Sequence, residues 1–293
     1  MTKETIAFIG LGSMGGQMAR HLMDAGYALR VYARRAEAAA PFVAHGATAC
    51  ATPAEAARGA DFIVTNVTTT QDVENVLLGA DGVIHGARRG AICVDHSTIS
   101  AQATRGIAAR LAEAGIEMVD APVSGGPTRA EDATLSIMVG GTDANVAKVR
   151  PLLEALGTTI THVGGIGTGQ VAKACNQIVQ VVNIQGIAEA MLYASRNGAD
   201  LDKVLAAISQ GLAGSRMLDQ MGPKMAHRDF AAGIEARLHD KDFGMIAEAV
   251  EAAGLDLPAI ALVKRQLSAL MAQGWGHDDT SSLFRVIEAQ QKG

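Results

Sequence analysis

The chain has 293 residues, of which 48% are hydrophobic, and a formal net charge of −5 from 25 basic and 30 acidic side chains. This length accommodates two domains with a well-buried core, and the mildly acidic balance, without a basic run, argues against nucleic acid as the main partner. The longest apolar runs are broken well short of the roughly 20 residues that cross a bilayer, so we expect no membrane span.

The N-terminus and the cysteines predict a cytoplasmic protein. Met1 to Glu4 lead directly into the first predicted strand, which leaves no room for a signal peptide. Cys50, Cys93 and Cys175 show neither a pairing pattern nor metal-ligand spacing, and a sparse, odd set is typical of a reducing compartment. The eight histidines are scattered without H-x-x-x-H or H-E-x-x-H spacing, so we expect no metal site.

The first predicted strand runs straight into a G-x-G-x-x-G turn, which a helical pattern follows at once. Gly10 allows the tight turn, Gly12 lets a pyrophosphate approach bare backbone, and Gly15 lets helix and strand pack closely. The free N–H groups and the positive end of the helix then face the phosphates. A glycine turn without a ligand is the alternative, but this context favours a dinucleotide site. Its predicted residues are Gly10, Leu11, Gly12, Ser13, Met14 and Gly15.

The end of the second predicted strand indicates which dinucleotide binds. An NAD site typically has Asp or Glu about 20 residues past the glycines, where the carboxylate holds the ribose 2′-hydroxyl. Arg34 and Arg35 stand there instead, and a guanidinium can bind a 2′-phosphate that a carboxylate would repel. We therefore predict NADP as the preferred cofactor, with NAD possible. The alternative is that one arginine is solvated and the other stacks on adenine.

Short β-branched runs alternate with alanine-rich helical stretches in the first half of the chain, which predicts βαβ units and a mainly parallel sheet. After residue 164 the pattern becomes helical. We predict a fold that combines an α/β Rossmann-type nucleotide domain (residues 1–164) with an all-α C-terminal domain for substrate binding and dimerisation (165–293), joined by a long interdomain helix from Gly169 to Asn197. The predicted strands are Thr5–Ile9, Leu29–Tyr32, Phe62–Val67, Ile92–Asp95, Glu117–Ala121, Leu135–Val139 and Thr159–Val163. Helix breaks are expected at Gly198, Gly211, Gly222-Pro223, Gly254 and Gly274.

The long helix is apolar on nearly every face but carries one polar stripe. A lone buried ammonium is unfavourable and needs partners or a chemical task, whereas a solvated face would normally mix Lys and Glu. The polar residues lie on one helix face, because the last four follow the first by 3, 4, 7 and 10 positions. They are Lys173, Asn176, Gln177, Gln180 and Asn183. We predict that Lys173 is functional, next to a Gly167-Thr168-Gly169 turn that lets backbone approach a ligand; a solvated helix lysine is the alternative.

Three further runs carry candidate site residues. Ser124, Gly125 and Gly126 follow a predicted strand, and the hydroxyl with two backbone N–H groups could cup a carboxylate; a tight turn that needs glycine is the alternative. Thr98, in a run that ends another strand, offers a hydroxyl beside the nicotinamide. Lys241 lies in an acidic and basic run from His239 to Asp242, for which a surface charge cluster is the alternative. His96 is a weaker candidate for a general base.

Four motifs in order resemble those of the β-hydroxyacid dehydrogenases, the family of 3-hydroxyisobutyrate dehydrogenase and tartronate semialdehyde reductase, over essentially the whole chain. Ala133 departs from the pattern, because a glycine is common there, and this leaves the geometry of the substrate loop open. The Asn-Gln pair after the lysine looks more like the tartronate semialdehyde reductase branch. The motifs are the glycine turn, Asp120 to Gly126 with Thr134-Leu135 and Met138 to Gly141, Gly167-Thr168-Gly169 with Lys173 and Asn176-Gln177, and Lys241-Asp242.

The resemblance implies reversible hydride transfer between NADP and a short β-hydroxyacid or its semialdehyde. By the same resemblance Lys173 is the catalytic acid/base, Asn176 or Gln177 orients the substrate, the Ser124–Gly126 cup holds its carboxylate, and Lys241 approaches the nicotinamide. Lysine at its reference pKa of about 10.4 is a poor base near neutrality, so burial and nearby cationic charge must lower the pKa.

Two other functions are the alternatives to this one, and the same residues also predict an oligomeric state. An imine reductase shares this fold but usually lacks the lysine, and a non-catalytic NADP-binding protein would be expected to lose the lysine or the carboxylate cup. The partner is a small carboxylate-bearing substrate, with no nucleic acid and no membrane. The apolar long helix predicts pairing of chains through the C-terminal domain, in a homodimer or homotetramer.

Overall fold

The computed structural model describes residues 4–291, so Met1–Lys3, on which the expectation of no signal peptide partly rests, lie outside the described residues. The chain forms two compact units that divide between Lys173 and Ala174. The predicted domain boundary, residue 164, is the last residue of the final strand.

The first unit is built on one sheet with the strand order β3-β2-β1-β4-β5-β6-β8-β7, and β9 pairs with β8. The strands are parallel from β3 through β6 and between β8 and β9, and antiparallel where β8 meets β6 and β7. This confirms the predicted Rossmann-type α/β domain. The strands are β1 Thr5–Ile9, β2 Ala28–Tyr32, β3 Thr48–Ala49, β4 Phe62–Thr65, β5 Ile92–Asp95, β6 Glu117–Asp120, β7 Val123–Ser124, β8 Leu135–Gly140 and β9 Gly157–Gly164.

Consecutive residues of β1 face opposite sides of the sheet. Ile6 and Phe8 belong to one hydrophobic cluster, Ala7 and Ile9 belong to another, and all four are fully buried. Both faces of the sheet are therefore covered, as expected for a central parallel strand with a continuous apolar sequence. The glycine turn thus follows a strand that is fixed on both sides.

The sequence missed two strands and extended two others too far, since the strand predicted to end at Ala121 ends at Asp120. β3 and β7 have two residues each, too few to show a period of 2. Val67 was predicted to end the fourth strand, but β4 stops at Thr65 because the Val67 N–H donates to Ser97 Oγ (2.9 Å) instead of a neighbouring strand.

Helices cover the sheet and make up the second unit. In residues 174–291 the only β pairing is an isolated bridge between Glu235 and Asp279, which confirms the predicted helical C-terminal domain. The long helix α8 belongs to both units, beginning in the first and continuing into the second. The helices are α1 Ser13–Asp24, α2 Ala40–Val43, α3 Pro53–Ala57, α4 Thr70–Leu78, α5 Ala101–Glu113, α6 Gly126–Glu131, α7 Asp143–Glu154, α8 Thr168–Arg196, α9 Leu201–Ser209, α10 Arg216–Ala226, α11 Ala236–Ala252, α12 Pro258–Ala272 and α13 Leu283–Gln290. Within residues 4–291 no helix, α8 included, is both long and apolar enough to cross a bilayer.

The predicted helix break at Gly222-Pro223 is wrong, because both residues lie inside α10. A Cβ on Gly222 would come within 2.5 Å of Leu205 Cδ2, so the glycine allows α9 and α10 to pack closely. Proline removes one backbone hydrogen bond from a helix interior, but Met221 and Met225 are buried around it and keep the helix packed. The other four predicted breaks lie just beyond helix ends.

Ala133, the residue at which the sequence departs from the family pattern, has a left-handed backbone (φ 51°). This conformation disfavours residues with a Cβ by about 1 kcal/mol. We expect Ala133→Gly to raise the free energy of unfolding, measured in urea, by about 0.5–1 kcal/mol. The matched control is Ala112→Gly on the exposed side of α5, which should lower it by about 1 kcal/mol. Equal losses at both positions would contradict the strain at Ala133.

Candidate active site

The three motif glycines occupy two kinds of environment. A Cβ on Gly10 would lie 2.3 Å from the Asn66 carbonyl oxygen, and a Cβ on Gly15 would lie 2.0 Å from the Gly10 carbonyl oxygen. These two glycines are therefore required for packing of the turn between β1, α1 and the end of β4. Gly12 has no atom within 4 Å of its Cβ position, so its open side leaves room for a ligand.

The N-terminus of α1 is open in the same way. Gly12 is its N-cap and supplies no side chain to bond the first-turn N–H groups, and no acidic residue lies in the first turn. Such a helix end binds anions through its free N–H groups and its dipole. The residues of this turn thus fit the pyrophosphate of a dinucleotide, with Leu11, Ser13 and Met14 at the start of the helix.

A cleft of about 360 Å³ extends from the glycine turn to the end of β2. Gly10 and Gly12 line one part of it, and Arg34 and Arg35 line another. Both arginines are exposed. No carboxylate stands in the three residues after Tyr32, where an NAD-specific site would place one. The cleft therefore joins the phosphate-binding turn to two guanidinium groups, which fits a dinucleotide with an additional phosphate.

The end of β5 carries two buried ionisable side chains whose pKa values shift in opposite directions. Asp95 Oδ1 accepts hydrogen bonds from Thr65 Oγ1 (2.8 Å) and the Ser97 N–H (3.1 Å), and His96 Nδ1 lies 2.7 Å from the Ala121 carbonyl oxygen. Burial raises the pKa of Asp95 to about 6, against those hydrogen bonds, and burial lowers the pKa of His96 to about 4. His96 is therefore neutral near pH 7, and it donates to the Ala121 carbonyl through Nδ1.

Thr98 lies on the loop after β5, and Ser124–Gly126 run from the last residue of β7 to the first residue of α6. Thr98 is partly exposed, between the buried residues Ser97 and Ile99. Gly125 and Gly126 both have positive φ (137° and 69°), and the Cβ position of Gly126 is open. A Cβ on Gly125 would instead meet the Arg129 side chain at 2.7 Å. Only the open side of Gly126 therefore has the room that the predicted carboxylate cup requires.

Asp120 fixes the beginning of α8. It is fully buried; its Oδ1 accepts from the Gly167 N–H (2.6 Å) and its Oδ2 from the Gln170 N–H (2.8 Å). A carboxylate at this position satisfies helix N–H groups that have no partner within the helix and interacts favourably with the helix dipole. Burial raises the pKa of Asp120, while the backbone donors oppose the rise.

The Gly167-Thr168-Gly169 turn has a different role from the predicted one. A Cβ on Gly169 would lie 2.5 Å from the Met138 carbonyl oxygen, and one on Gly167 would lie 3.0 Å from Arg105 Nε. These glycines therefore bring α8 close to the protein's own strands and side chains rather than to a ligand. Gly167 has a positive φ of 86°, which disfavours other residues independently of space.

Lys173 lies on the buried face of α8. Its exposed fraction is 8%, and residues three positions before and four positions after it, Gln170 and Gln177, are 2% and 5% exposed. Residues at this spacing share a helix face, so Lys173 has a buried amide on either side of it along α8. Of the amides in the predicted stripe only Gln177 is buried, and Asn176, Gln180 and Asn183 are half-buried. Gln170 was missed by the sequence analysis, although it precedes Lys173 by one helical turn.

In the second unit the amide pair after the lysine is ordered by a carboxylate. Asn176 Nδ2 donates to Gln177 Oε1 (2.9 Å), and Gln177 Nε2 donates to Asp242 Oδ2 (2.7 Å). Lys241 Nζ lies 3.0 Å from Asp242 Oδ1. Because a carboxylate only accepts, Asp242 fixes the direction of both amide hydrogen bonds.

The run from His239 to Asp242 is not a solvated charge cluster. His239 and Asp242 are 1% and 6% exposed. His239 Nδ1 lies 2.7 Å from Thr280 Oγ1, and Asp240 Oδ1 accepts from Lys264 Nζ at 2.7 Å. Among residues 4–291, no three His, Cys, Asp or Glu side chains are grouped so that they could hold a metal ion.

Comparison with known proteins identifies the family. Residues 5–164 match the model of the NAD binding domain of 6-phosphogluconate dehydrogenase, and residues 167–287 match the model described as NAD-binding of NADP-dependent 3-hydroxyisobutyrate dehydrogenase. The 2-hydroxy-3-oxopropionate reductase of Escherichia coli is 39% identical over 283 residues, 97% of each chain. The chain belongs to the β-hydroxyacid dehydrogenase family.

Other β-hydroxyacid dehydrogenases match over the same length. The NAD-dependent L-serine dehydrogenase of Pseudomonas aeruginosa is 38% identical over 294 residues, 98% of each chain. The structure of Mycobacterium tuberculosis 3-hydroxyisobutyrate dehydrogenase with L-serine matches with a TM-score of 0.90 at 32% identity, covering 97% of this chain and 99% of that one. This β-hydroxyacid dehydrogenase is therefore an oxidoreductase whose cofactor is NAD(P).

Asp95 and His96 should give opposite contributions to the pH dependence of stability. The folded pKa of Asp95 is above its usual value, so its contribution falls as pH rises from about 4 to 6. The folded pKa of His96 is below its usual value, so its contribution falls as pH decreases from about 6.5 to 4. As pH rises from 4 to 6, the wild type should lose about 3 kcal/mol of unfolding free energy that Asp95→Asn, which does not titrate at this position, keeps. As pH falls from 6.5 to 4, the wild type should lose a similar amount that His96→Asn keeps, so the two variants differ from wild type in opposite pH directions.

Urea denaturation at half-unit pH steps measures both differences. Asp95→Asn is nearly isosteric, and His96→Asn can still donate to the Ala121 carbonyl oxygen. The comparison is between the pH profiles of each variant and wild type, so a pH-independent loss of packing does not affect it. Parallel pH profiles for the two variants would contradict the opposite shifts.

Proposed function

We propose that this dehydrogenase interconverts a short β-hydroxyacid and its semialdehyde with NADP as the preferred cofactor. The observation that carries the proposal is the buried lysine, Lys173, in a row of amides one turn after the Asp120-anchored start of α8. The bound dinucleotide supplies or accepts the hydride. Lys173 donates a proton to the carbonyl oxygen in reduction and removes it from the hydroxyl in oxidation, which is the role of a general acid/base.

The substrate carboxylate gives the second part of the proposal. We assign it to Ser124 with the backbone N–H groups of Gly125 and Gly126, since the Gly126 side is open. Asn176 or Gln177 orients the substrate, and the order of their hydrogen bonds is fixed by Asp242. Tartronate semialdehyde and 3-hydroxyisobutyrate are the substrate types that the relatives' names support.

Two alternative functions lack support from these residues. An imine reductase is expected to lack a lysine at position 173. A non-catalytic NADP-binding protein is expected to lose the lysine or the Ser-Gly-Gly segment, and both are present. The roles of Thr98 and Lys241 toward the nicotinamide, the cytoplasmic location and a homodimer or homotetramer stay predictions. Exposed apolar side chains on α8, Val171, Val179 and Tyr193, support the oligomer.

Cofactor preference should depend on Arg34 and Arg35. Replacing both with Ala should raise KM for NADPH at least about tenfold, or about 1.4 kcal/mol, because the 2′-phosphate loses two charge-assisted partners. KM for NADH should change little. Arg58→Ala, an exposed arginine outside the cleft, is the control. A wild-type enzyme that prefers NADH would contradict the NADP proposal.

Lys173→Ala should lower kcat by about 10²–10⁴, the usual share of general acid–base catalysis, and leave NADPH binding nearly unchanged. Lys173→Arg should restore little, because arginine stays protonated. The oxidative kcat/KM of wild type should rise with pH, and the Ala variant should lack that rise. Steady-state rates with tartronate semialdehyde and NADPH measure the reductive kcat, rates with the corresponding hydroxyacid and NADP+ across pH measure the oxidative profile, and fluorescence titration measures NADPH binding.

Two controls define the result. Lys148→Ala, on the exposed side of α7, should behave as wild type, and propanal should be a poor substrate because the carboxylate-binding groups stay unpaired. Near-wild-type turnover of Lys173→Ala would remove Lys173 from the mechanism and direct attention to His96 or Lys241. Equal kcat/KM for propanal and the semialdehyde would overturn the carboxylate assignment.

A further inference from the structure

Gln170 lies where three parts of the first unit meet. Its backbone N–H donates to Asp120 Oδ2 (2.8 Å) at the end of β6. Its side-chain Nε2 donates to the Ser97 carbonyl oxygen (2.7 Å), and its Oε1 accepts from the Ile99 N–H (3.2 Å). The side chain is 2% exposed. One residue therefore bonds the first turn of α8 to the end of β6 and to the loop that follows β5.

The two side-chain bonds enclose Thr98. Ser97 and Ile99 are the residues on either side of it, and both are held through backbone atoms, so the amide fixes the course of the loop independently of its side chains. Thr98 itself is partly exposed between these two buried neighbours. Between the two residues that Gln170 bonds, the loop thus presents Thr98 as its accessible residue.

The same residue precedes the proposed acid/base by one helical turn. Gln170 and Lys173 are three positions apart on one buried face of α8. A displacement of the loop relative to α8 would therefore change the distance between Thr98 and the ammonium. Positioning errors of about 1 Å near reacting groups can lower rates by about 10²-fold.

We propose that Gln170 is a positioning residue. Its side-chain amide, which both donates and accepts, holds the loop of residues 96–100 (the Thr98 loop) at a fixed distance from Lys173. This inference rests on the proposed function, since it assigns to Gln170 the geometry that proton transfer by Lys173 requires. Gln170 touches neither substrate nor the reacting atoms in this role. Neither Asp nor Glu in ionised form could replace it, because a carboxylate cannot donate to the Ser97 carbonyl.

Gln170→Met is the first test, because methionine keeps the side-chain volume and removes both hydrogen bonds. Hydrogen–deuterium exchange of the peptide covering residues 96–101, measured without cofactor, should increase at least about tenfold, since the Ile99 N–H loses its acceptor. With NADPH and tartronate semialdehyde, kcat should fall about 10- to 100-fold, with KM within about threefold. The primary isotope effect on kcat with deuterated NADPH should rise, because hydride transfer becomes slower than product release.

Gln170→Glu is the second test, with a pH signature that a structural role would not produce. The neutral carboxylic acid can donate to the Ser97 carbonyl and accept from the Ile99 N–H, whereas the carboxylate can only accept. Activity of this variant relative to wild type at the same pH should therefore increase as pH falls. The control is Gln220→Met on the exposed side of α10, which should match wild type in exchange and rate.

The outcomes separate the two proposals. Unchanged exchange at residues 96–101 in Gln170→Met, kcat within twofold of wild type, or a flat pH ratio for Gln170→Glu would each overturn the positioning role. A fall in kcat that only follows a loss of folded protein, with an unchanged isotope effect, would also overturn it. Increased exchange in Gln170→Met, together with no turnover of any semialdehyde by wild type, would overturn the proposed function and leave the constraint on the loop intact.

Discussion

The buried carboxylate of Asp120 determines where α8 begins. It meets two backbone N–H groups at the start of the helix, and no solvent competes for those bonds because the side chain is fully buried. The helix dipole and the two N–H donors offset the cost of burying the Asp120 carboxylate, so its charge is tolerated inside the protein. Within the first unit, Gln170 and Lys173 follow this contact in the first two turns of α8.

Parallel strands bring the remaining parts of the first unit to one edge of its sheet. β1, β4, β5 and β6 run in the same direction, so the glycine turn, the Thr98 loop and Asp120 all follow carboxyl ends of strands. Ligands of open α/β sheets bind in this place. Side chains then connect the loops to one another: Ser97 holds the backbone of Val67, and Gln170 holds that of Ser97 and Ile99.

Sequence patterns predicted those features that depend on local spacing. The glycine turn, the second helical domain and the buried face of α8 all follow from motif order or from a period of 3 to 4 residues. Contacts between residues distant in sequence were not predictable in the same way. The bond between Gln177 and Asp242 spans 65 positions, and that between Gln170 and Ser97 spans 73. The failed break at Gly222-Pro223 has the same origin, because only the neighbouring helix shows why a glycine is needed there.

By the space around their Cβ positions, several glycines of the candidate site fall into two kinds that sequence alone does not distinguish. At Gly10, Gly15 and Gly169 a single methyl group would overlap a carbonyl oxygen, whereas at Gly12 and Gly126 it would enter empty space. Divergence at the first kind is limited by folding, and divergence at the second kind by whatever occupies that space. A homologue that keeps this fold but no longer binds a ligand at the first turn can therefore vary at Gly12, while the packed glycines, and Gly126 with its left-handed backbone, stay fixed.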